Sequence, residues 1–228
     1  PRAAAPSRTT TWTSDPRRVR PLLPLLPLLP LLLLATAASC GLADDPREEE
    51  NRHTYITISD PQLRAHCLAA YDLNGDGRLS RYEAQRVRHL SCPGLGIERM
   101  DELGEFVSLE RLDCADNRIA ELDLRPLRAL RRVDCARNAL VRLEVGESRS
   151  LAELDCSRNA IGRLDLAAPS LSVVRCAGNP LRLLDLRRCA RQMELADASA
   201  CPLEVLYKGA QQRILRLAVD DPSVVEEL

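Results

Sequence analysis

The sequence predicts a solenoid of stacked coils, and three observations support this fold. One phrase occurs four times, and its first leucine recurs at offsets of 21, 21 and 20 residues, at Leu109, Leu130, Leu151 and Leu171. A cysteine and an asparagine also recur at fixed places in every copy. A period in this range is typical of coils that are too thin to bury their own apolar side chains, so each coil must stack on the next.

The repeated phrase reads L-x-x-L-x-C-x-x-N-x-L/I-x-x-L in the one-letter code. This pattern resembles that of the leucine-rich-repeat family. The resemblance implies an α/β fold class: a right-handed solenoid in the form of a short horseshoe, with parallel strands along its concave face. We therefore expect that fold for the central part of the chain.

The first 39 residues contain an apolar run of leucine and proline, 21–39, which follows Arg17, Arg18 and Arg20. A basic stretch, an apolar run and small residues at its exit are typical of an export signal. Four prolines inside the run argue against a transmembrane helix, because an interior proline removes a helix hydrogen bond. We assign residues 1–39 to an upstream extension, 1–16, and a signal peptide.

The exit of this run, Ala37-Ala-Ser-Cys40-Gly, resembles a bacterial lipobox, whose cysteine becomes the lipidated N-terminus, although that family prefers leucine at the first position. Ordinary signal-peptidase cleavage near residues 35–37 is the alternative. The acidic tract that follows resembles the surface-export signal of some Gram-negative lipoproteins, and it also suits a solvated linker, 40–52. The resemblance implies membrane attachment through Cys40, at the outer membrane or cell surface of a Gram-negative bacterium.

Residues 72–83 match an EF-hand calcium loop at every diagnostic position. Calcium takes several oxygen ligands from one short loop, and side chains spaced by two can converge on one ion. Gly77 permits the sharp turn, and a closing glutamate offers both carboxylate oxygens. The expected Ca²⁺ ligands are Asp72, Asn74, Asp76, the carbonyl of Arg78, Ser80 and Glu83.

This loop stands alone in the sequence, whereas such loops usually occur in pairs, so we expect a structural site more than a sensor. An Asx-rich turn between helices is the alternative. A helix start precedes the loop at Ser59-Asp-Pro61, which combines a capping side chain with a proline in the first turn. We assign residues 53–89 to an EF-hand-like helix-loop-helix cap that abuts the first coil.

The repeats extend over residues 90–199. Leu90 and Cys92 lie 22 residues before Leu112 and Cys114, which indicates a degenerate first repeat beside the cap. Residues 200–228 contain two weakly alternating segments around Lys-Gly-Ala-Gln-Gln, which predict a β-hairpin cap followed by a loose tail. Such a hairpin would cover the open edge of the stack.

Two ladders of side chains follow from the period. They are Cys92, Cys114, Cys135, Cys156 and Cys176, and Asn117, Asn138, Asn159 and Asn179. Neighbouring parallel strands hold inward Cβ atoms too far apart for disulfides, so we interpret these cysteines as small apolar filler, with a metal or redox array as the alternative. The asparagines are interpreted as turn residues that bond neighbouring coils. Cys189 and Cys201 flank the end of the stack and could pair.

Alternation along each strand assigns the outward columns of the concave face. The partner-binding candidates are Arg111, Arg132 and Glu153 in one column and Asp113, Asp134, Asp155 and Arg175 in the next. A third column of small residues, which begins with Ala115 and Ala136, would let a partner approach the backbone closely. The stacked carboxylates predict an acidic stripe that binds a basic partner, and a solvated face without a ligand is the alternative.

Composition and motifs narrow the function. The chain carries 32 Lys+Arg and 33 Asp+Glu, and this balance gives no electrostatic footprint for nucleic acid. Aromatic residues make up only 3% of the chain, which is too few for a surface that stacks sugars or bases.

No catalytic set is recognisable, so we expect neither an enzyme nor a small-molecule substrate. The leader with its lipobox-like exit and the calcium loop predict a non-enzymatic, calcium-binding surface lipoprotein. The resemblance to bacterial surface leucine-rich-repeat proteins implies that it binds a protein or a host-cell surface, and we expect the concave face to carry that binding. A structural envelope scaffold and an accessory glycan-binding subunit of a nutrient-capture system are the alternatives.

Overall fold

The computed structural model describes residues 46–228. These residues belong to a single unit, Ala43–Leu228. The expected signal peptide, the lipidation site at Cys40 and the start of the acidic linker lie outside the described residues. Within 46–228, none of the helices is long and apolar enough to span a membrane.

The described chain begins with a small cap of helices and short strands. The cap consists of α1 (Pro46–His53), β1 (Tyr55–Ile56), α2 (Pro61–Tyr71), β2 (Leu79–Ser80) and α3 (Arg81–Ala84). Asp60 starts α2, because its carboxylate accepts hydrogen bonds from the backbone N–H groups of Gln62 and Leu63, both at 3.0 Å. Leu63 and Cys67 form the buried side of α2. The predicted helix start and the helix that follows it are therefore present.

Short strands and turns make up the rest of the chain. The strands are β3 (His89–Ser91), β4 (Arg111–Asp113), β5 (Glu121–Asp123), β6 (Arg132–Asp134), β7 (Arg142–Glu144), β8 (Glu153–Asp155), β9 (Val173–Arg175), β10 (Leu183–Asp185), β11 (Gln192–Asp197), β12 (Val205–Lys208), β13 (Arg213–Ala218) and β14 (Val225–Glu227). Two 3-10 helices, Asp101–Glu105 and Pro222–Val224, complete the described structure.

Seven strands form one parallel sheet in the order β13-β11-β9-β8-β6-β4-β3. The outward side chains of these strands make up what we call the seven-stranded face. The opposite side of the coils carries two shorter sheets, β5-β7 and β10-β12-β14. The register is constant from coil to coil, because Leu112 pairs with Val133 and Val133 pairs with Leu154. Each repeat position therefore forms a column along the stack.

The coils contain strands where the α/β class implied helices, and this expectation is corrected. The α-helices α1–α3 all lie in the cap, and the repeats return through turns and the short strands of the opposite side. The reason is length. After two short strands and their turns, a coil of 20 or 21 residues leaves too little chain for a helix of typical length, which is about 11 residues. The fold of the described residues is a β-solenoid with a helical cap.

The segment after residue 200 continues the solenoid and does not form the expected β-hairpin cap. β12 pairs in parallel with β10 and β14, whereas β13 pairs in parallel with β11, so β12 and β13 lie in different sheets. Leu206 pairs with Leu184, and both are fully buried. The segment thus extends the inward apolar columns, and each fully buried leucine contributes about 1.5–3 kcal/mol. This burial outweighs the turn signal between the two strands.

The two ladders lie in the interior of the coils. All five ladder cysteines are buried and carry free thiols, and Cys189 and Cys201 are free as well. The amide of Asn117 donates to the carbonyl oxygen of Cys92 at 2.9 Å, and its Oδ1 accepts the N–H of Ile97 at 3.0 Å. The later asparagines repeat these bonds from coil to coil. The structural interpretation of the asparagine ladder is confirmed.

Candidate functional site

The predicted partner-binding residues lie together on the seven-stranded face. The first column contains Arg111, Arg132 and Glu153, and the second contains Asp113, Asp134, Asp155 and Arg175. Each residue occupies the same place in its strand as its column neighbours, so the arrangement expected from side-chain alternation is observed. The binding role of these residues stays a prediction.

The three aspartates of the second column also close the turn at the end of their strands. Asp113 and Asp134 each accept the backbone N–H two residues further along, at 3.3 and 3.1 Å. Asp155 accepts both the N–H and the hydroxyl of Ser157, at 3.0 and 2.6 Å. These bonds fix the carboxylates in place through turn chemistry. The Oδ2 atoms of Asp134 and Asp155 accept no hydrogen bond from the described residues.

Electrostatic strain is concentrated at the centre of this column. Partial burial raises the pKa of Asp134 above the usual value of an aspartate, and the charges of Asp155 and Asp113 raise it further, whereas the hydrogen bond from the N–H of Ala136 lowers it. Like charges at the spacing of adjacent strands, about 4.8 Å, repel by roughly 1 kcal/mol in water. A cationic group placed beside Asp134 would relieve this repulsion.

The arginines beside the aspartates differ in their pairing. Arg132 forms an ion pair with Glu153 at 3.0 Å. Arg111 and Arg175 form no ion pair with any residue of the described chain. The face therefore presents a stripe of carboxylates bordered by two guanidinium groups that form no ion pair within the described residues.

An open hollow of about 370 Å³ lies over these columns. Its lining includes His89 and Ser91 of β3, which the sequence analysis did not select as site residues. The hydroxyl of Ser91 donates to Asp113 Oδ2 at 3.3 Å, so the first coil extends the second column. The sequence did contain information that could have identified these residues, because the spacing of Leu90 and Cys92 already indicated that their segment is a repeat.

The third predicted column is less accessible than expected. Ala115 and Ala136 are only 4% and 2% exposed. The strands end at Asp113 and Asp134, so these alanines lie beyond the strands, where their N–H groups bond to the aspartate side chains. A partner can reach the outward columns, but the expected close approach to the backbone at the alanines is wrong for these two coils.

The segment 72–83 is a compact turn whose carboxylates bond to its own backbone. Asp72 accepts the N–H groups of Gly75 and Gly77, each at 2.8 Å, and Asp76 accepts the N–H of Arg78 at 2.8 Å. Gly75 and Gly77 have φ values of +72° and +76°, a region that favours glycine because it lacks a Cβ atom. The backbone is thus wrapped around its acidic side chains.

Glu83 joins the two ends of this turn. One carboxylate oxygen accepts the N–H of Leu73 at 2.9 Å, and the other accepts the N–H and the hydroxyl of Ser80 at 2.8 and 2.7 Å. The Ser80 side chain in turn accepts the N–H of Glu83, which completes a capping box at the start of α3. Glu83 is 4% exposed, and its hydrogen bonds offset the cost of burying its charge.

A short strand braces the turn from the side. β1 pairs antiparallel with β2, so Tyr55 lies opposite Ser80 and Ile56 lies opposite Leu79. The hydroxyl of Tyr55 donates to Asp76 Oδ2 at 3.2 Å. The loop that looked solitary in the sequence therefore has a strand partner from within the cap.

The donor set of the turn suits Ca²⁺ by its chemistry, although its oxygens are not gathered into a cluster. Among residues 46–228, no group of three or more His, Cys, Asp or Glu side chains is placed to hold a metal ion. Asp72, Asp76 and Glu83 engage N–H groups instead. A carboxylate oxygen that accepts one hydrogen bond keeps a second lone pair for a cation, and hard oxygen donors are what Ca²⁺ prefers.

Similarity to known proteins is found at the level of structure. No protein-family model and no curated protein sequence matches this chain. The functional domain of InlJ from Listeria monocytogenes, described as including a cysteine ladder, matches with a TM-score of 0.54 and 22% identity over 69% of this chain and 36% of that one. The fold is a leucine-rich-repeat solenoid. This chain thus corresponds to little more than a third of the structure that it matches.

Two further structures from Listeria monocytogenes, both of internalins, are more distant. Internalin C2 shares 16% identity at a TM-score of 0.40, over 74% of this chain and 93% of that one. The internalin InlF shares 12% identity at a TM-score of 0.28, over 74% of each chain. These similarities are too low to add to the assignment, which rests on the repeated phrase, the coil geometry and the InlJ domain.

Proposed function

We propose that this chain is a non-enzymatic interaction module that binds a protein partner on the seven-stranded face. The observation that carries the proposal is the stripe of Asp113, Asp134 and Asp155, which lies beside two arginines without ion pairs under an open hollow. Repulsion along the stripe is a cost that a partner with basic groups removes. Complementary charge of this kind gives an interface its specificity and its association rate.

The rigidity of the face supports binding to a protein. The aspartates are held by turn hydrogen bonds and by strands in constant register. A surface that is already ordered loses little conformational entropy when it binds, and affinity improves accordingly. The hollow is lined largely by charged side chains, whereas small-molecule pockets are mostly apolar. The chemistry of the face therefore favours a charged protein surface over a small ligand.

We assign no catalytic role to the chain. Burial raises the pKa of Cys67 and Cys92 to about 12, so these thiols stay protonated at neutral pH and are poor nucleophiles. The same burial raises the pKa of Cys114 and Cys135. The cysteine ladder acts as packing material in this proposal, in agreement with its free and buried thiols.

We further propose that the turn between α2 and α3 is an EF-hand-like calcium site. Its ligands would be the side chains of Asp72, Asn74, Asp76, Ser80 and Glu83 and the carbonyl of Arg78. A bound Ca²⁺ ion would supply positive charge to a loop that otherwise relies on N–H groups to balance its carboxylates. The support is the pattern of residues, the two glycines with positive φ and the bracing strand β1.

The site would stabilise the junction between the cap and the first coil. Asp60 connects them, because it accepts the N–H groups of Glu98 and Arg99 at 2.9 and 3.3 Å. Arg81 of α3 also forms an ion pair with Glu105 at 2.8 Å. Because these contacts join the cap to the first coil, a loop held in place by calcium would also stabilise the first coil. The proposed role of calcium is therefore structural.

Attachment to a membrane through a lipid on Cys40 is the third part of the proposal, with the outer membrane or cell surface of a Gram-negative bacterium as its place. Its support is the lipobox-like sequence alone. In a bacterial host, Cys40→Ala should move the protein from the membrane fraction to the soluble fraction. A variant that fractionates like the parent would refute the anchor.

The interaction proposal is tested by capture on matched surfaces. Immobilised parent protein is incubated with cell-surface extracts beside Asp113→Lys/Asp155→Lys and beside the opposite-face variant Glu121→Lys/Glu144→Lys. A specific partner is a protein that the parent and the opposite-face variant retain and that the first variant loses. If all three proteins retain the same set, the seven-stranded face is not the binding surface.

A further inference from the structure

Two cysteines of consecutive coils, Cys176 and Cys201, lie together inside the stack. Cys201 follows β11, and β11 pairs with β9 of the preceding coil and with β13 of the following one. The N–H of its neighbour Ala200 also bonds to Asp220 of the following coil at 3.0 Å. Both cysteines are buried, so the pair belongs to the interior of the described solenoid.

The two thiols point toward each other across the space between their coils. Cys176 Sγ donates forward to the carbonyl oxygen of Asp197 at 3.4 Å, as Cys135 Sγ does to the carbonyl oxygen of Asp155 at 3.3 Å. Cys201 Sγ is directed the opposite way, because it donates to the carbonyl oxygen of Cys176. The two side chains interact directly through a hydrogen bond between the thiols.

This arrangement is particular to Cys176 among the ladder cysteines of the described chain. Each of the other four has an asparagine amide bonded to its carbonyl oxygen, where Cys176 has the thiol of Cys201. Cysteines at the same position of adjacent coils are too far apart at their Cβ atoms for a disulfide. Cys176 and Cys201 occupy different positions of their coils, so that spacing does not separate them.

The two thiols also differ in acidity. The hydrogen bond with the Cys176 thiol lowers the pKa of Cys201 to about 7, and the N–H groups of Asn179 and Gly178 lower it further, although burial raises it. The same hydrogen bond and burial raise the pKa of Cys176. Because the thiolate is the reactive form of cysteine, Cys201 is the sulfur that attacks first.

We propose that Cys176 and Cys201 form a disulfide on reaction with a low-molecular-weight disulfide such as oxidised glutathione. The Cys201 thiolate attacks one sulfur of the oxidant, which forms a mixed disulfide and releases a thiolate that takes up a proton. Cys176 then attacks the Cys201 sulfur, and its proton passes to the second thiolate that leaves. Two protein thiols are oxidised, and one small disulfide is reduced to two thiols. The free thiols described above are the reduced state of this site.

The disulfide would join two consecutive coils covalently. The two residues are 25 positions apart in the sequence, and closing a loop of this length stabilises a fold by restricting the unfolded chain. The oxidised protein should therefore melt about 5 °C or more above the reduced protein. Neither the seven-stranded face nor the turn between α2 and α3 takes part, so the outcome is independent of partner binding and of calcium.

The test is disulfide mapping of the full chain. The reduced, unfolded protein is refolded in a mixture of reduced and oxidised glutathione, its free thiols are alkylated, and its tryptic peptides are identified by mass spectrometry. Trypsin leaves Cys176, Cys189 and Cys201 on three different peptides. We expect the peptides of Cys176 and Cys201 to be linked in most molecules. If both remain alkylated as free thiols, or if Cys201 is linked mainly to another cysteine, the proposal is overturned.

Single substitutions provide matched controls. Cys176→Ala and Cys201→Ala should each abolish the linked peptides, whereas Cys189→Ala should retain them. The melting temperature of each refolded protein is measured with and without a reductant, so that the effect of the substitution on packing cancels. The reductant should lower the melting temperature of the parent and of Cys189→Ala by about 5 °C or more, and it should leave Cys201→Ala unchanged. An equal response of the parent and Cys201→Ala would contradict the proposal.

The peptide map of the parent decides alone if a variant fails to fold. A comparison of Cys201 variants that concerns hydrogen bonding, and not the disulfide, requires the reduced protein.

Discussion

The thiol of Cys201 donates a hydrogen bond to the carbonyl oxygen of Cys176 at 3.2 Å. One coil earlier, the amide of Asn179 donates to the carbonyl oxygen of Cys156 at 3.0 Å. Ala200, the residue before Cys201, has a φ of +54°. The residue before each ladder asparagine has the same left-handed conformation. Cys201 therefore lies at the position that an asparagine occupies in each of the earlier coils, and its thiol takes the place of the asparagine amide.

Restoring asparagine at this rung should stabilise the solenoid. A thiol is a weak single donor, whereas an amide offers two donors and an acceptor, so Cys201→Asn should raise the free energy of unfolding by about 1 kcal/mol. Urea unfolding measures the change. Cys189→Asn is the control, because Cys189 is buried outside the ladder, and it should lower stability. A Cys201→Asn protein less stable than the parent would contradict the assignment of this rung.

The ladder shows what the sequence could and could not predict. The period and its fixed cysteine and asparagine positions predicted the columns, because a constant register converts sequence spacing directly into neighbours in space. The position of Cys201 in this ladder was not recognised from the sequence. A repeat position can be identified in a sequence only when the same residue type recurs there, and here a cysteine replaces the asparagine. For the same reason the pattern placed Cys201 beside Cys189, whereas the structure places it beside Cys176.

The same difference applies to the candidate site: its periodic features could be predicted from the sequence, and its local features could not. Alternation placed Asp113, Asp134 and Asp155 in one outward column. Their hydrogen bonds to the next turn were missed, because turn chemistry depends on where each strand ends, and strand ends are not marked by the period. The pairing of β1 with β2 and the course of the chain after residue 200 depend on contacts between distant segments, which neither composition nor spacing specifies.

Calcium should raise the melting temperature of the protein. A ligand that binds only the folded state stabilises it by about 2.7 kcal/mol at a hundredfold excess over its dissociation constant. Glu83→Gln should abolish most of this rise, because it removes a charged ligand but retains side-chain acceptors for the capping box. The measurement is circular dichroism melting with calcium and with a chelator.

A second variant separates the ion from the general stability of the cap. Glu105→Gln removes the ion pair with Arg81 but leaves the loop intact, so its melting temperature should still respond to calcium. If the melting of the parent protein is indifferent to millimolar calcium, the proposed site is wrong.

The raised pKa of Asp134 predicts a pH-dependent effect of its substitution. Because the folded-state pKa lies above the unfolded value, protonation stabilises the fold. This contribution is complete below the unfolded pKa and is lost as the pH rises through the folded pKa. Asp134→Asn mimics the protonated form, so it should be more stable than the parent at neutral pH and nearly equal to it at a pH below the usual aspartate value.

Asp116 provides a control of opposite sign. The hydrogen bond from Arg137 lowers the pKa of Asp116, so Asp116→Asn should be less stable than the parent at neutral pH, and the difference should vanish in acid. Urea unfolding at both pH values measures the two variants. An Asp134→Asn protein that is destabilised at neutral pH would show that the column is not under electrostatic strain.

The central claim is that the carboxylates of the seven-stranded face bind a basic protein partner. Its most direct test is the affinity of a captured partner for the triple variant Asp113→Asn/Asp134→Asn/Asp155→Asn, which retains an acceptor for each turn and removes the charge. Glu121→Gln/Glu144→Gln/Asp165→Asn, a triple variant away from that face, is the control. We expect the first variant to bind about tenfold more weakly at low salt and to lose most of the salt dependence, while the control binds like the parent. Equal affinity and equal salt dependence for the parent and the first variant would contradict the claim.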